Sequence, residues 1–139
     1  MRFKTAGLAL LLAGCATFSN MEAGLNALMG RPDRQAFDVL GYPTTKQEFG
    51  GDTVYTWSVS RSGAIVLPQT TTTTGYVGTT PVYGTTTYNQ VTPVNYNCTI
   101  KLAAGGDGVL KHWEYDGNPG GCGALSDRLR NFAKSQGKL

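Results

Sequence analysis

The chain has 139 residues and a formal net charge of +3, about one domain's worth of sequence. Only 15% of it is charged, 40% is hydrophobic and 10% is aromatic, with Gly at 19 positions. Those values exclude a coiled coil, a highly charged disordered tail and a multidomain enzyme. One His and three Cys leave few ingredients for metal or nucleophilic chemistry.

Arg2 and Lys4 make a short positive start, and Ala6 to Ala13 follow as an unbroken run of small and apolar residues. The run is too short to span a bilayer, which takes about 20 apolar residues. It suits the middle of a secretory signal peptide, with Leu12-Ala13-Gly14-Cys15 where cleavage falls. That tetrad resembles the lipobox of bacterial lipoproteins. The resemblance implies that residues 1–14 are removed, that Cys15 is acylated as the first mature residue, and that three acyl chains anchor the protein. Each buried methylene contributes about 0.8 kcal/mol, and two or more chains hold a protein stably. Ala16, where an Asp would imply retention at the inner membrane, implies an outer-membrane address with the body in the periplasm. Loss of Arg2 and Lys4 lowers Lys plus Arg from 12 to 10 against 9 acidic residues, leaving +1. A nucleic-acid partner is therefore not expected.

With Cys15 assigned to lipid, Cys98 and Cys122 remain, and an oxidising periplasm favours a disulfide between them. It would close a loop of about 25 residues, for roughly 3 kcal/mol of stabilisation. Two buried free thiols are the alternative. A metal site lacks partners, because His112 is the only His and no Cys pair has C-x-x-C spacing.

Residues 15–20 read as a lipid-anchored tether, with Thr17 to Asn20 short and polar. Met21 to Met29 place Met21, Leu25 and Leu28 on one helix face, and Gly30 stops that helix. Pro32 opens a second helix at its first turn, with Ala36, Phe37, Val39 and Leu40 as its apolar side. Gly41 serves as C-cap and Pro43 prevents continuation. Gly50-Gly51-Asp52 turns the chain into a strand over Thr53 to Ser60, with Trp57 toward the core. Tyr96 to Leu102 and Val109 to Tyr115 form two more, joined by a hairpin at Gly105-Gly106-Asp107-Gly108. In the last strand Val109, Trp113 and Tyr115 share one face, and Leu110, His112 and Glu114 the other. Ala124 to Gln136 is helical, with Leu125, Leu129 and Phe132 facing the sheet and Arg128, Arg130 and Lys134 on its other sides.

Between the first and second strands lies a tract without precedent elsewhere in the chain. From Ser62 to Ile100 there is no Asp, Glu, Lys or Arg, a stretch of 39 residues. It is rich in Thr, Tyr and Val, and Thr80-Pro81-Val82 recurs as Thr92-Pro93-Val94. Two readings stand. Pro68, Pro81 and Pro93 interrupt ladder bonding and favour a mobile loop. High strand preference allows instead an extended β-arm with Gly84 near its tip, able to pair with another chain's edge. O-glycosylation of the Thr residues is also open.

The fold class expected is α+β: two short N-terminal helices on a three-stranded antiparallel sheet, plus a C-terminal helix. Residues 21–139 make one small domain, with the Thr-rich loop inserted at about 62–95. Phe37-Asp38-Val39-Leu40-Gly41-Tyr42-Pro43, then Val54-Tyr55-Thr56-Trp57, then Cys98 to Trp113 resemble the SmpA/OmlA (BamE-like) family of outer-membrane lipoproteins. The resemblance covers residues 21–61 and 96–117 and implies helices on one sheet face and partner binding without catalysis. The Thr-rich tract, Cys122 and the C-terminal helix lie outside that pattern.

His112 with Glu114 and Asp116 is the one local grouping that suggests acid–base chemistry, and a surface His beside carboxylates is the plainer reading. No G-x-S-x-G elbow, P-loop or dinucleotide fingerprint occurs. No catalytic residue, cofactor, metal or small-molecule substrate is expected. The expectation is a lipid-anchored, non-catalytic adaptor of outer-membrane assembly or integrity, binding an envelope protein or glycan through its sheet and the start of the second helix. The alternative is an envelope structural or surface-interaction protein whose Thr/Tyr-rich tract itself makes the contact. Trp57 and Trp113 are expected in the core, and Tyr76, Tyr83 and Tyr88 are the candidate partner contacts. Mass spectrometry of the mature protein should find acylated Cys15 at its amino terminus. Cys15→Ser should release the body from the membrane or stall processing; an unmodified terminus at another site would refute the anchor.

Overall fold

A computed structural model describes residues 13–139, with side chains from residue 16 onward. Residues 1–12 of the expected signal peptide (1–14) and the Cys15 side chain, the expected lipid site, lie outside the described residues. Three helices and four strands follow in the order α1 (Ala13–Leu28), α2 (Asp33–Leu40), β1 (Thr45–Phe49), β2 (Asp52–Val77), β3 (Thr80–Ala104), β4 (Leu110–Gly117) and α3 (Pro119–Ser135). The class is α+β, and the sheet is antiparallel with order β1-β2-β3-β4. The chain divides into two compact units, a body that runs to Arg61 and resumes at Tyr96, and an arm over Ser62–Asn95.

The sheet has four strands where three are expected. The additional one, β1, is Thr-Lys-Gln-Glu-Phe and exposed at every position. An edge strand with neither face in the core carries no alternation for a sequence pattern to reveal, and its charges blunt the edge. Gly50 and Gly51 close β1 onto β2 with φ of 56° and 91°, the two positive values a type I′ turn requires.

α1 begins before the expected Met21, so Thr17 to Asn20 are helix and not tether. Phe18 packs on the core and stacks on Tyr115 at 5.6 Å, while Ser126 Oγ donates to the Thr17 carbonyl at 2.6 Å. Tertiary contacts, absent from the local pattern, carry the helix past its polar residues. α1 and α3 run in the same direction and touch along their length. Gly24 is the point of closest approach, where an added Cβ would overlap Leu129. α2 starts at Asp33, with Pro32 one place earlier than expected, as N-cap, bridged to Val109. Gly41 ends it at φ 84°.

Met21, Leu25, Leu28, Ala36, Leu40, Tyr55, Trp57, Ile100, Leu102, Leu110, Leu125 and Leu129 make one core between the helices and one sheet face. Leu110 corrects the expected facing of β4. A register shift between Ala103 and Ala104 sets Leu110 opposite Ala104 but His112 opposite Ala103. The extra residue, Lys111, returns Leu110 to the face of Trp113 and Tyr115, as a β-bulge does.

The Thr-rich tract is strand, not loop. Gly78-Thr79 is the tip, in place of Gly84, and only Gly78 has positive φ, the sign pattern of a type II′ turn. Such a turn makes Val77 and Thr80 a mutually hydrogen-bonded pair. Odd-numbered arm residues of β2 and even-numbered ones of β3 then direct their backbone groups inward. A Cβ added at Gly75 would lie 3.9 Å from Val82, and one at Gly84 4.0 Å from the Thr73 carbonyl, in keeping with that register. Pro68, Pro81 and Pro93 all fall on the opposite parity, where the missing N–H would point away from the hairpin. The prolines therefore remove no bond within the arm.

Two glycines report the packing in opposite senses. Gly24→Val should destabilise the fold by about 1–3 kcal/mol or more through overlap with Leu129. Gly123→Ala, inside α3 with open space around it, should stabilise by about 0.5–1 kcal/mol. Urea unfolding of both variants checks the pair.

Candidate interaction surfaces

Two strands carry aromatic pairs at alternate positions, and each pair grips one helix. On β2, Tyr55 Oη donates to Asp33 Oδ2 at 2.6 Å, at the start of α2, and Trp57 Nε1 donates to the Gly41 carbonyl at 2.9 Å, at its end. On β4, Trp113 Nε1 donates to Asn26 Oδ1 at 2.9 Å and Tyr115 Oη to Glu22 Oε1 at 2.7 Å. Glu22 and Asn26 are four apart, so both acceptors lie on one face of α1. Tyr55 and Trp57 are buried and Trp113 and Tyr115 half-buried, each with its polar tip satisfied, which is the structural use of Tyr and Trp. Phe37 meets Tyr55 edge-on at 5.1 Å and completes the α2 contact. These aromatics serve packing.

Burial, followed by the hydrogen bond to Asp33, pushes the Tyr55 hydroxyl up to about 12. Burial, followed by the bond to Glu22, does the same for Tyr115, to about 12. The neutral phenols belong to the folded state.

A second seam joins α3 to β3. Asn118 caps α3 by accepting from the Gly121 amide at 2.8 Å, and Pro119 occupies its first turn. Gly117, Gly120 and Gly121 have no room for a Cβ against Asn97, Cys98 and Tyr96. That close approach brings the Cys98 and Cys122 Cα atoms to 4.9 Å and their sulfurs to 2.11 Å, at disulfide distance and fully buried. The expected Gly-rich return over 117–121 is thus largely the first turn of the helix.

The sheet face away from the helices is polar. His112, Glu114 and Asp116 are exposed there, with Lys101 3.5 Å from Glu114 and a shallow depression lined by Thr99, Lys101, Glu114, Tyr115 and Asp116. His112 stands opposite Ala103 in the sheet. Among the described residues no group of three or more His, Cys, Asp or Glu is placed to hold a metal ion, and no helix is long and apolar enough to cross a membrane.

Tyr76, Tyr83 and Tyr88 all lie in the arm and are 77%, 75% and 51% exposed. Strand alternation puts Tyr76 and Tyr83 on one face, near the tip, and Tyr88 on the other. Ile65, Val66, Leu67, Val82 and Val91 are exposed beside them, so the arm shows apolar groups on both faces. In the body, Tyr42 is 90% exposed at the end of α2, in a groove with Arg34, Phe37 and Asp38. Sequence reading treats Gly41-Tyr42-Pro43 as a helix stop and passes over the ring. The signal was available: a large aromatic between a helix-ending Gly and a Pro has no helix face to bury it.

Comparison with protein-family models, with curated proteins and with solved structures gave no match for this chain.

The two tyrosines make an alkaline prediction. Below pH 10 both phenols are protonated in the folded and unfolded chains; between about 10 and 12 the unfolded chain loses these protons while the folded chain keeps them. Stability should therefore fall with rising pH across that window. In urea titrations at a series of pH values, Tyr55→Phe/Tyr115→Phe should cost about 1–2 kcal/mol per site at neutral pH and flatten the alkaline decline.

Proposed function

We propose that this protein is a lipid-anchored bacterial envelope protein of structural or interaction type whose arm makes the contact. The observation that carries the reading is the arm itself: strands over Ser62–Val77 and Thr80–Asn95, without a charged residue, exposed along nearly their whole length. A lone two-stranded hairpin is marginally stable in water, and three or more strands or a packing partner are needed to hold it. The lipobox at Leu12 to Cys15 supplies the anchor, and the Thr17 and Phe18 contacts bind the chain to the body within three residues of Cys15. An anchor so placed holds the body at the membrane surface with no slack.

Adaptor function through the body surface, as the SmpA/OmlA resemblance implies, is the second reading, favoured by exposed Tyr42 in its groove. Co-purification from solubilised envelopes separates the two, with full-length protein as bait. The arm reading expects Tyr76/Tyr83/Tyr88→Ala to lose the captured envelope protein or glycan and Tyr42→Ala to keep it. The opposite pattern establishes the body as the contact. Turnover of a substrate dependent on His112 would overturn both.

A further inference from the structure

We infer that the arm's contact is a second copy of this chain, paired antiparallel along β3 about a two-fold axis at Thr87. The inference deepens the arm reading and rests on it. It starts from the hydrogen-bonding parity of the hairpin. The two-residue turn at Gly78-Thr79 turns the backbone N–H and C=O groups of odd-numbered arm residues in β3 outward. β4 covers β3 only from Cys98 to Ala104, so no strand among the described residues covers this edge between 80 and 95.

Along that edge the outward positions are Pro81, Tyr83, Thr85, Thr87, Asn89, Val91 and Pro93. Five successive residues offer both a donor and an acceptor, and a proline without a donor closes the run at each end. The two prolines sit equally far from Thr87, and each lies in a Thr-Pro-Val triplet. Antiparallel pairing of two copies with Thr87 opposite Thr87 therefore sets Thr85 against Asn89, Tyr83 against Val91 and Pro81 against Pro93. Every outward donor between the prolines finds an acceptor, and the ladder stops on both sides where donors are absent. A slipped register would set a proline against a residue whose carbonyl wants a donor.

Charge permits the pairing. Two identical strands brought edge to edge put like charges near one another unless they carry none, and Ser62 to Ile100 carry none. Cross-strand neighbours would be Tyr83 with Val91 on one face and Tyr88 with Thr86 on the other, aromatic with β-branched in both cases. Two marginal hairpins become one four-stranded sheet. β2 is the poorer edge for this symmetry, since its single Pro68 bounds a run of outward residues on one side only. A lipid-facing arm fits less well: Thr70 to Thr74 and Thr85 to Thr87 place Thr on both faces, where a transmembrane strand alternates apolar with polar.

Cysteine cross-linking of the full-length protein in detergent tests the register. Opposed hydrogen-bonded residues stand about 5.5 Å apart at Cα, within disulfide reach. Thr87→Cys should give a covalent dimer under mild oxidation. Thr85→Cys should not do so alone but should when mixed with Asn89→Cys, and Thr72→Cys, on the β2 edge, should give none. Thr87→Pro, which removes an outward donor and no bond within the arm, should weaken dimerisation about tenfold or more in analytical ultracentrifugation while the circular dichroism spectrum is kept. Absence of a Thr87→Cys dimer, equal dimer from Thr72→Cys, cross-linking only between Thr72→Cys and Thr87→Cys, or an unchanged Thr87→Pro dimer overturns the inference. Arm-dependent capture of a different envelope component, without a Thr87→Cys dimer, overturns the inference and leaves the arm reading standing; capture that survives the Tyr76/Tyr83/Tyr88→Ala change overturns the arm reading.

Discussion

The body depends on two aromatic pairs, Tyr55 and Trp57 with their rings in the core and Trp113 and Tyr115 half-buried against it, whose polar tips are bonded to helices. Tyr55 and Trp57 reach Asp33 and Gly41 at opposite ends of α2, and Trp113 and Tyr115 reach Asn26 and Glu22 on successive turns of α1. On β2 each bond offsets the cost of burying a phenol or an indole N–H. Each also fixes a helix along its axis, which apolar contact by itself does not do. The short α2, with eight residues, would be marginal in isolation and is held at both ends. Around these clamps the remaining core, from Met21 to Leu129, fills the space between helices and sheet.

The α3 seam is the complementary constraint. Glycines at 117, 120 and 121 bring the start of α3 against β3, and Gly24 brings the middle of α1 against α3. Side chains are absent at these positions because the facing residue needs the room: the backbone of Asn97 or Cys98 at Gly117 and Gly121, the Tyr96 ring at Gly120, and Leu129 at Gly24. The Cys98–Cys122 pair sits inside the first seam, so the bond joins elements already held together by packing and by the Asn118 cap. A small body with about 90 residues of folded chain is a size at which such a tie matters.

The arm obeys different rules. Its residues are exposed along nearly their whole length, and its geometry comes from the turn and from the alternation of backbone groups along each strand. Prolines look like breakers when counted along the sequence. Placed by parity, Pro68, Pro81 and Pro93 all stand on outward positions, and they shape the edges while leaving the hairpin intact. Natural sheets manage their open edges in this way. Here the management is uneven, and the length of β3 between Pro81 and Pro93 is left able to pair.

Much of the body was legible in the amino-acid sequence because its signals are local. Helical spacing of Met21, Leu25 and Leu28, alternation around Trp57, the Gly-rich hairpin at 105–108 and the Gly41 stop each follow from backbone preferences within a few residues. The resemblance of Leu12-Ala13-Gly14-Cys15 to a lipobox, the charge-free tract and the short list of ionisable groups likewise need no fold to be seen. The tertiary structure decided what depends on distant partners: that polar Thr17 to Asn20 continue α1, that exposed β1 joins the sheet, and that a bulge at Lys111 turns Leu110 inward. It also decided that the Thr-rich tract is a hairpin with its tip at Gly78, since a proline's effect on a strand depends on which way its nitrogen faces, and only the pairing of β2 with β3 sets that direction.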